Sequence, residues 1–485
     1  MNNSDGRPAR DRLVARSDAD RDPREIVIVG GGLAGMAAAV ALASSGQRIT
    51  LLESRPRLGG RASSFVDHTT GTTIDNCQHV NLGCCTNFQH FCRVTQIADG
   101  LQTERVITFV GPNNRLHQLA ASPLPAPLHL LSSFARLSYL TWYDKWRLAW
   151  GLKALAHRRC AGSNELMSVW LERHRQTPAA IARVWHVVLV SALSESLDRI
   201  TVHDARKVFV DAFMANRHGW EMQIPTQPLD TLYTQRVGAW LQAHGVEVRL
   251  SAGVARLQVE SSRAVGVDLR DGMHLRADEV ILAVPSFGLK TLLPEPVADD
   301  PSIAALGQLQ WAPISSVHLW FDRKIMPIPH ATFVERLSQW IFYRGSVPQN
   351  DGATAEYYQV VISASRELEG RDQSDIIRDV VAELAAVWPA AGTAQLLNAR
   401  VVTEHKACLS MLPGNVALRP VQQSLLQNVS FAGDWTATGW PSTMEGAVRS
   451  GYLAAETVAS RLGRPQRFLQ PDLPPGWLSR ILLGL

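Results

Sequence analysis

Apolar positions come in short runs at the start of the chain. Glu25-Ile26-Val27-Ile28-Val29 is a β-branched run ending in glycine, and the Ala-rich stretch from Leu33 to Ser44 has helical character. Arg48 to Glu53 follows Gly46 and reads as a second strand, which completes a parallel β-α-β unit. Three further strands are predicted over 246–250, 264–269 and 279–284, each bounded by Gly- or Asp-bearing turns. A last one, Asn428 to Ala432, runs into Gly433-Asp434 and a helix carrying Ala447, Val448, Leu453, Ala454 and Val458. The pattern predicts an α/β fold with a Rossmann-like nucleotide domain built from 25–111, 225–292 and 401–465. An α+β substrate domain from 112–224 and 293–400 is inserted into it. Residues 1–24 read as a disordered leader and 466–485 as a C-terminal tail.

A chain of 485 residues exceeds what one core organises, which supports two interleaved domains. Hydrophobic residues at 46% against 19% charged exclude a disordered chain. A net charge of +4 is too small at this length to indicate nucleic acid as a partner. The leader lacks the apolar run of a secretory signal, which places the chain in the cytoplasm. In that reducing compartment the cysteines read as free thiols. Cys77, Cys84, Cys85 and Cys92 cluster with His79 and His90, but no C-x-x-C pair with a distant partner exists, so no metal is expected. No apolar stretch is long enough to cross a bilayer, so membrane association would be peripheral, on its inner face.

Gly30, Gly32 and Gly35 form G-x-G-x-x-G at the mouth of the first strand. There the chain must turn tightly and admit a pyrophosphate to bare backbone at a helix start, with Leu33 and Ala34 in the same loop. Glu53 ends the second strand, where a carboxylate accepts from adenosine ribose hydroxyls; Ser54 and Arg55 follow it. Strand, glycines, helix, strand and acid in register specify dinucleotide binding.

Arg57-Leu58-Gly59-Gly60-Arg61 resembles the R-x-G-G-R turn of the amine oxidase and phytoene desaturase flavoproteins. The resemblance implies FAD, with Gly59, Gly60 and Arg61 around its pyrophosphate and ribityl chain. It also implies roles for Gly433 and Asp434 at a ribityl hydroxyl, for the backbone of Met444, Glu445, Gly446 and Ala447 near the flavin ring, and for Val254 at the adenine. The segment Thr73 to Phe88, TIDNCQHVNLGCCTNF, resembles the D-N-G-Q-H-V-x-x-G-C-Y block of the squalene-associated FAD-dependent desaturases, the hydroxysqualene dehydroxylases of hopanoid biosynthesis. Pro225 to Leu229 and Gly439 to Gly451 are also similar to that family. Cys77 replaces its glycine, and Asn81 an apolar residue.

That family's reaction implies a C30 isoprenoid substrate: hydroxysqualene loses its hydroxyl and gains a hydride from reduced flavin. His79 or Asp75 is then the candidate proton donor, with a purely backbone-bonding His79 as the alternative. Trp440 is the candidate aromatic face for a developing cation, or else core. The reductant that recharges the flavin has no motif in the chain. A carotenoid-type desaturase, an amine oxidase and a non-catalytic lipid-binding escort protein on the same fold are the alternatives.

Two segments have the composition of interfacial binders. In one, T-x-x-D at Thr141–Asp144 caps a helix with Trp142, Trp146 and Trp150 four apart among Lys145, Arg147, Lys153, Arg158 and Arg159; the other is the tail from Pro474 to Leu485. A helix packed within the substrate domain and a tail fraying in solvent are the competing readings.

Overall fold

The structure is a computed structural model and describes residues 22–348 and 354–485. The leader expected over 1–24 lies, as far as residue 21, outside the described residues. Five parallel strands form the central sheet, in the order Val246–Arg249, Arg48–Leu52, Glu25–Val29, Glu279–Leu282, Val429–Phe431. The middle strand is apolar from Ile26 to Val29 because both its faces are covered. Ile26 and Ile28 pack with the helices Leu33–Leu42 and Met444–Arg461, while Val27 and Val29 pack beneath the antiparallel sheet of Val254–Glu260, Arg263–Leu269 and His274–Arg276. Arg461 locks the end of the long helix to the sheet through Glu279, at 2.8 Å, and Ser430 Oγ, at 2.7 Å.

A mixed seven-stranded sheet makes the second layer, in the order Leu396–Leu409, Trp311–Phe321, Thr354–Ser363, Trp340–Pro348, His330–Phe333, Val106–Val110, Leu116–Ala120. It draws strands from the nucleotide-domain side of the boundaries at 111 and 401. Alternation along its central strands divides the faces. Val317, Leu319, Phe321, Tyr358 and Val360 bury against Gln373–Val387. Trp320 and Tyr357 face the opposite way, onto Ile74 and Phe65 of the hairpin Ser64–Val66/Thr73–Asp75. That second face brings the hairpin to the site.

The helical part of the insert packs around buried Trp170 and Trp185, whose indole donates to Gln176 at 2.9 Å. Its helix Trp142–Ala156 opens with the Thr141/Asp144 capping box. Among the described residues no helix is long and apolar enough to cross a membrane, no cluster of ligating side chains could hold a metal, and all six cysteines are free.

Candidate active site

Backbone hydrogen bonds anchor the first glycine turn at both ends. Gly30 N–H donates to Leu52 O at 2.7 Å and Gly59 N–H to Gly31 O at 2.9 Å, which docks the R-x-G-G-R turn against the first loop. A Cβ on Gly35 would stand 1.9 Å from Gly30 O, so only glycine lets helix and loop approach. Gly32 is the opposite case. A Cβ there would meet only Gly60 Cα, at 4.0 Å, because it points into open space between the two turns. Gly32 also caps the helix Leu33–Leu42 with no side-chain bond and no acid in the first turn. The amides of Leu33, Ala34 and Gly35 therefore have no partner within the helix and suit a pyrophosphate.

Glu53, buried, accepts from Gly31 N–H at 2.7 Å and Arg55 N–H at 2.8 Å, with Ser54 Oγ at 3.1 Å. It braces the loop, and its remaining lone pairs serve a ribose. Ser54 and Arg55 themselves are exposed. Ala252 N–H donates to Glu53 O at 2.8 Å, which puts buried Val254 beside the same carboxylate's strand end.

The two motifs, far apart in sequence, meet in space. The Arg61 guanidinium pairs with the Asp434 carboxylate, donates to Ala407 O at 2.8 Å and lies 5.2 Å over Trp311. Asp434 also accepts from Ser442 Oγ. Asn76 Nδ2 donates to Arg61 O at 2.5 Å, while Asn76 Oδ1 and Gln78 Oε1 are buried without a partner. A Cβ-free cradle, unpaired helix amides and orphaned acceptors on the adjoining hairpin fit FAD, whose isoalloxazine ring offers an N–H to such acceptors.

In the turn Met444–Ala447 two amides are free of partners within the helix. Gly446 N–H is taken by Thr443 Oγ1 at 3.2 Å and Ala447 N–H by Thr443 O at 2.9 Å, so helix geometry leaves only the amides of Met444 and Glu445. The Glu445 carboxylate points away. It accepts from Phe88 N–H at 2.8 Å and from Asn87 N–H and Nδ2 at 3.2 and 2.9 Å, holding the start of Thr86–Val94.

The catalytic candidates divide. Asp75 is brought to the site but fully engaged. Its Oδ1 accepts from Ser64 Oγ at 2.6 Å and Leu229 N–H at 2.9 Å, and its Oδ2 pairs with Arg344 at 3.1 Å. Three donors, one a guanidinium, meet this carboxylate, an arrangement that suits a positioning role. Trp440 stands among protein partners. Lys207 Nζ stands 4.3 Å and the Arg449 guanidinium 5.5 Å from its ring, and its indole donates to Asp472 at 3.2 Å. Two protein cations already use this ring, so it clasps the C-terminal segment.

His79 stays in place. Its Nδ1 lies 2.9 Å from Cys77 O; a carbonyl only accepts, so Nδ1 carries the proton and Nε2 presents a lone pair. Burial lowers its pKa below the usual histidine value, and Arg344 and Arg61 add to this against Asp75. Burial pushes the neighbouring Cys77 thiol up to about 12, so it remains protonated. Cys77 does not occupy the left-handed region, so the position imposes no glycine backbone. Asn81 donates to Gln223 at 2.8 Å and ties Asn81–Leu82 to Met222–Pro225, which explains a polar residue there. Arg344 had no local sequence signal; strand pairing alone delivers it, 269 positions from Asp75.

A family model described as flavin containing amine oxidoreductase matches residues 33–459, and the chain belongs to that family. A 15-cis-phytoene desaturase of Solanum lycopersicum is 29% identical over 481 residues, covering 92% of this chain and 80% of the relative. A hydroxysqualene dehydroxylase of Sinorhizobium fredii is 26% identical over 444 residues, covering 90% and 99%. Among solved structures, an oxidoreductase from Methanosarcina mazei shares the fold with a TM-score of 0.66 at 16% identity, covering 88% of this chain and 98% of its own. The protein is an FAD-dependent oxidoreductase.

Proposed function

We propose that the chain reduces hydroxysqualene, a C30 isoprenoid alcohol, to squalene. The observation that carries the substrate class is the apolar wall beside His79. Val80 and Leu82 are half-buried and pack with Phe213, Ile224 and Trp340 around Trp220 and Met222. A hydrocarbon gains from such a wall, whereas an amine would meet no free carboxylate there, since Asp75 is committed to Arg344. The resemblance of Thr73–Phe88 and a dehydroxylase relative matched over 99% of its length support the particular alcohol. In the reaction the C–O bond breaks, the hydroxyl leaves as water with an added proton, and a hydride completes the new C–H bond. Reduced FAD, when bound, supplies that hydride. The chain's part is to hold the alcohol against the wall and deliver the proton from protonated His79 Nε2. Anaerobic incubation of holoprotein, chemically reduced, with hydroxysqualene is expected to yield squalene; unchanged alcohol would refute the assignment.

The lone pair on His79 Nε2 favours a second reading, desaturation of an isoprenoid hydrocarbon with His79 accepting the proton, as the phytoene desaturase relatives suggest. The pH profile separates the two. With His79 as acid, turnover is full below its pKa, which lies under 6.5, and falls as pH rises through it. With His79 as base, turnover rises over the same interval. His79→Gln should flatten whichever limb is seen, and a wild-type profile flat across that interval would remove His79 from proton transfer.

A further inference from the structure

The helix Trp142–Ala156 carries an aromatic stripe that is exposed among the described residues. Trp142 is 75% exposed, Tyr143 62%, and Trp146 and Trp150 53% each. Each of these tryptophans has a cation at its ring: Lys145 at 4.6 Å, Arg147 at 5.5 Å and Lys153 at 5.4 Å. The helix's one acid, Asp144, is turned inward, accepting from Thr141 and Thr177, and is buried. Lys145 is buried and Arg147 half-buried, so the exposed face carries the aromatic rings and Lys153 with no anion from its own helix.

A second element continues it. The terminal helix Trp477–Leu483 is docked, with Gly476 N–H on Ala215 O at 2.7 Å and Ser479 Oγ on Met214 O at 2.8 Å. With Ser479 held inward, Trp477 and Ile481, four apart, point out and are 65% and 70% exposed, and Arg480 is exposed beside them. The two helices touch: Leu483 and Leu485 pack on Ala156, and Arg158 Nε donates to Gly484 O at 3.1 Å. Upstream, Asp472 bonds Lys207 at 3.1 Å and Arg449 at 2.6 Å, which fixes the segment leading into the terminal helix.

We propose that these two helices form one docking face for a bilayer containing anionic lipid. Charge decides the occupant. A second copy would set Lys153, Arg158, Arg159 and Arg480 against their equivalents, whereas the headgroup boundary of an anionic leaflet offers phosphate to the cations and acyl chains to the indoles together. The docking holds whichever isoprenoid the enzyme takes. It also places the exposed Leu131, beside Leu130 of the apolar wall, in the segment leading into the aromatic helix.

The test is sedimentation of FAD-loaded full-length protein with large vesicles of phosphatidylcholine alone or mixed with phosphatidylglycerol. Partitioning is expected to be about tenfold or more stronger on the anionic vesicles and to weaken with salt. Trp146→Ser/Trp150→Ser and Lys153→Glu/Arg480→Glu should each lower it by about tenfold, with flavin content and far-ultraviolet circular dichroism unchanged. Wild-type protein that ignores both vesicles, or variants that bind as tightly as wild type, would overturn the proposal. So would a dimer by light scattering that the same substitutions dissociate without any vesicle binding.

Discussion

Gly32→Val yields folded, colourless protein. The added Cβ meets no protein atom nearer than 4.0 Å, so the side chain projects into the space between Gly32 and Gly60 that the fold leaves open. Backbone dihedrals of −72° and 177° accept valine, and the N-cap penalty is within about 1 kcal/mol. Any dinucleotide pyrophosphate in the cradle is blocked, and FAD affinity should fall by about 100-fold. Visible absorbance after reconstitution reads the flavin, and urea unfolding of both apoproteins reads the fold. A yellow variant with wild-type affinity would mean that the open space is not the pyrophosphate site.

Asp75→Ala is expected to cost about 3 to 5 kcal/mol of stability, because it strands the Arg344 guanidinium, Ser64 Oγ and Leu229 N–H in a buried setting. Ser64 also accepts from Asp230 N–H at 2.8 Å, so the loss spreads to the next loop. Urea denaturation of wild type and variant measures it. A stable, flavin-loaded but inactive Asp75→Ala would instead assign the carboxylate to proton transfer.

The β-α-β unit was legible because its determinants are local. A strand covered on both faces must be apolar, and a helix starting on a phosphate must begin with glycine. The same holds for the Thr141/Asp144 box. The contact between the hairpin and the seven-stranded sheet was hidden for the converse reason. Along Ser316, His318 and Trp320 a buried sheet face carries polar atoms, His318 bonding Tyr357 at 2.7 Å and Ser316 bonding Gln359 at 2.8 Å, and such alternation resembles a solvent-facing strand. The surroundings of Asp75 and Trp440 were not legible because their partners Arg344, Lys207, Arg449 and Asp472 arrive from distant segments. Glu445 gave no hint that its carboxylate would cap a helix 358 positions earlier. His79 was found from its motif, but its tautomer depends on the fold of Cys77.

The direction of electron flow is the most direct measure of what this cradle and apolar wall accomplish together. Holoprotein reduced without air is mixed with hydroxysqualene in a stopped-flow cell. The visible band of oxidised flavin should return in a single phase, with squalene equimolar to flavin. A flavin that stays reduced with the alcohol, yet in its oxidised form is bleached by an isoprenoid hydrocarbon, would contradict the reductive assignment.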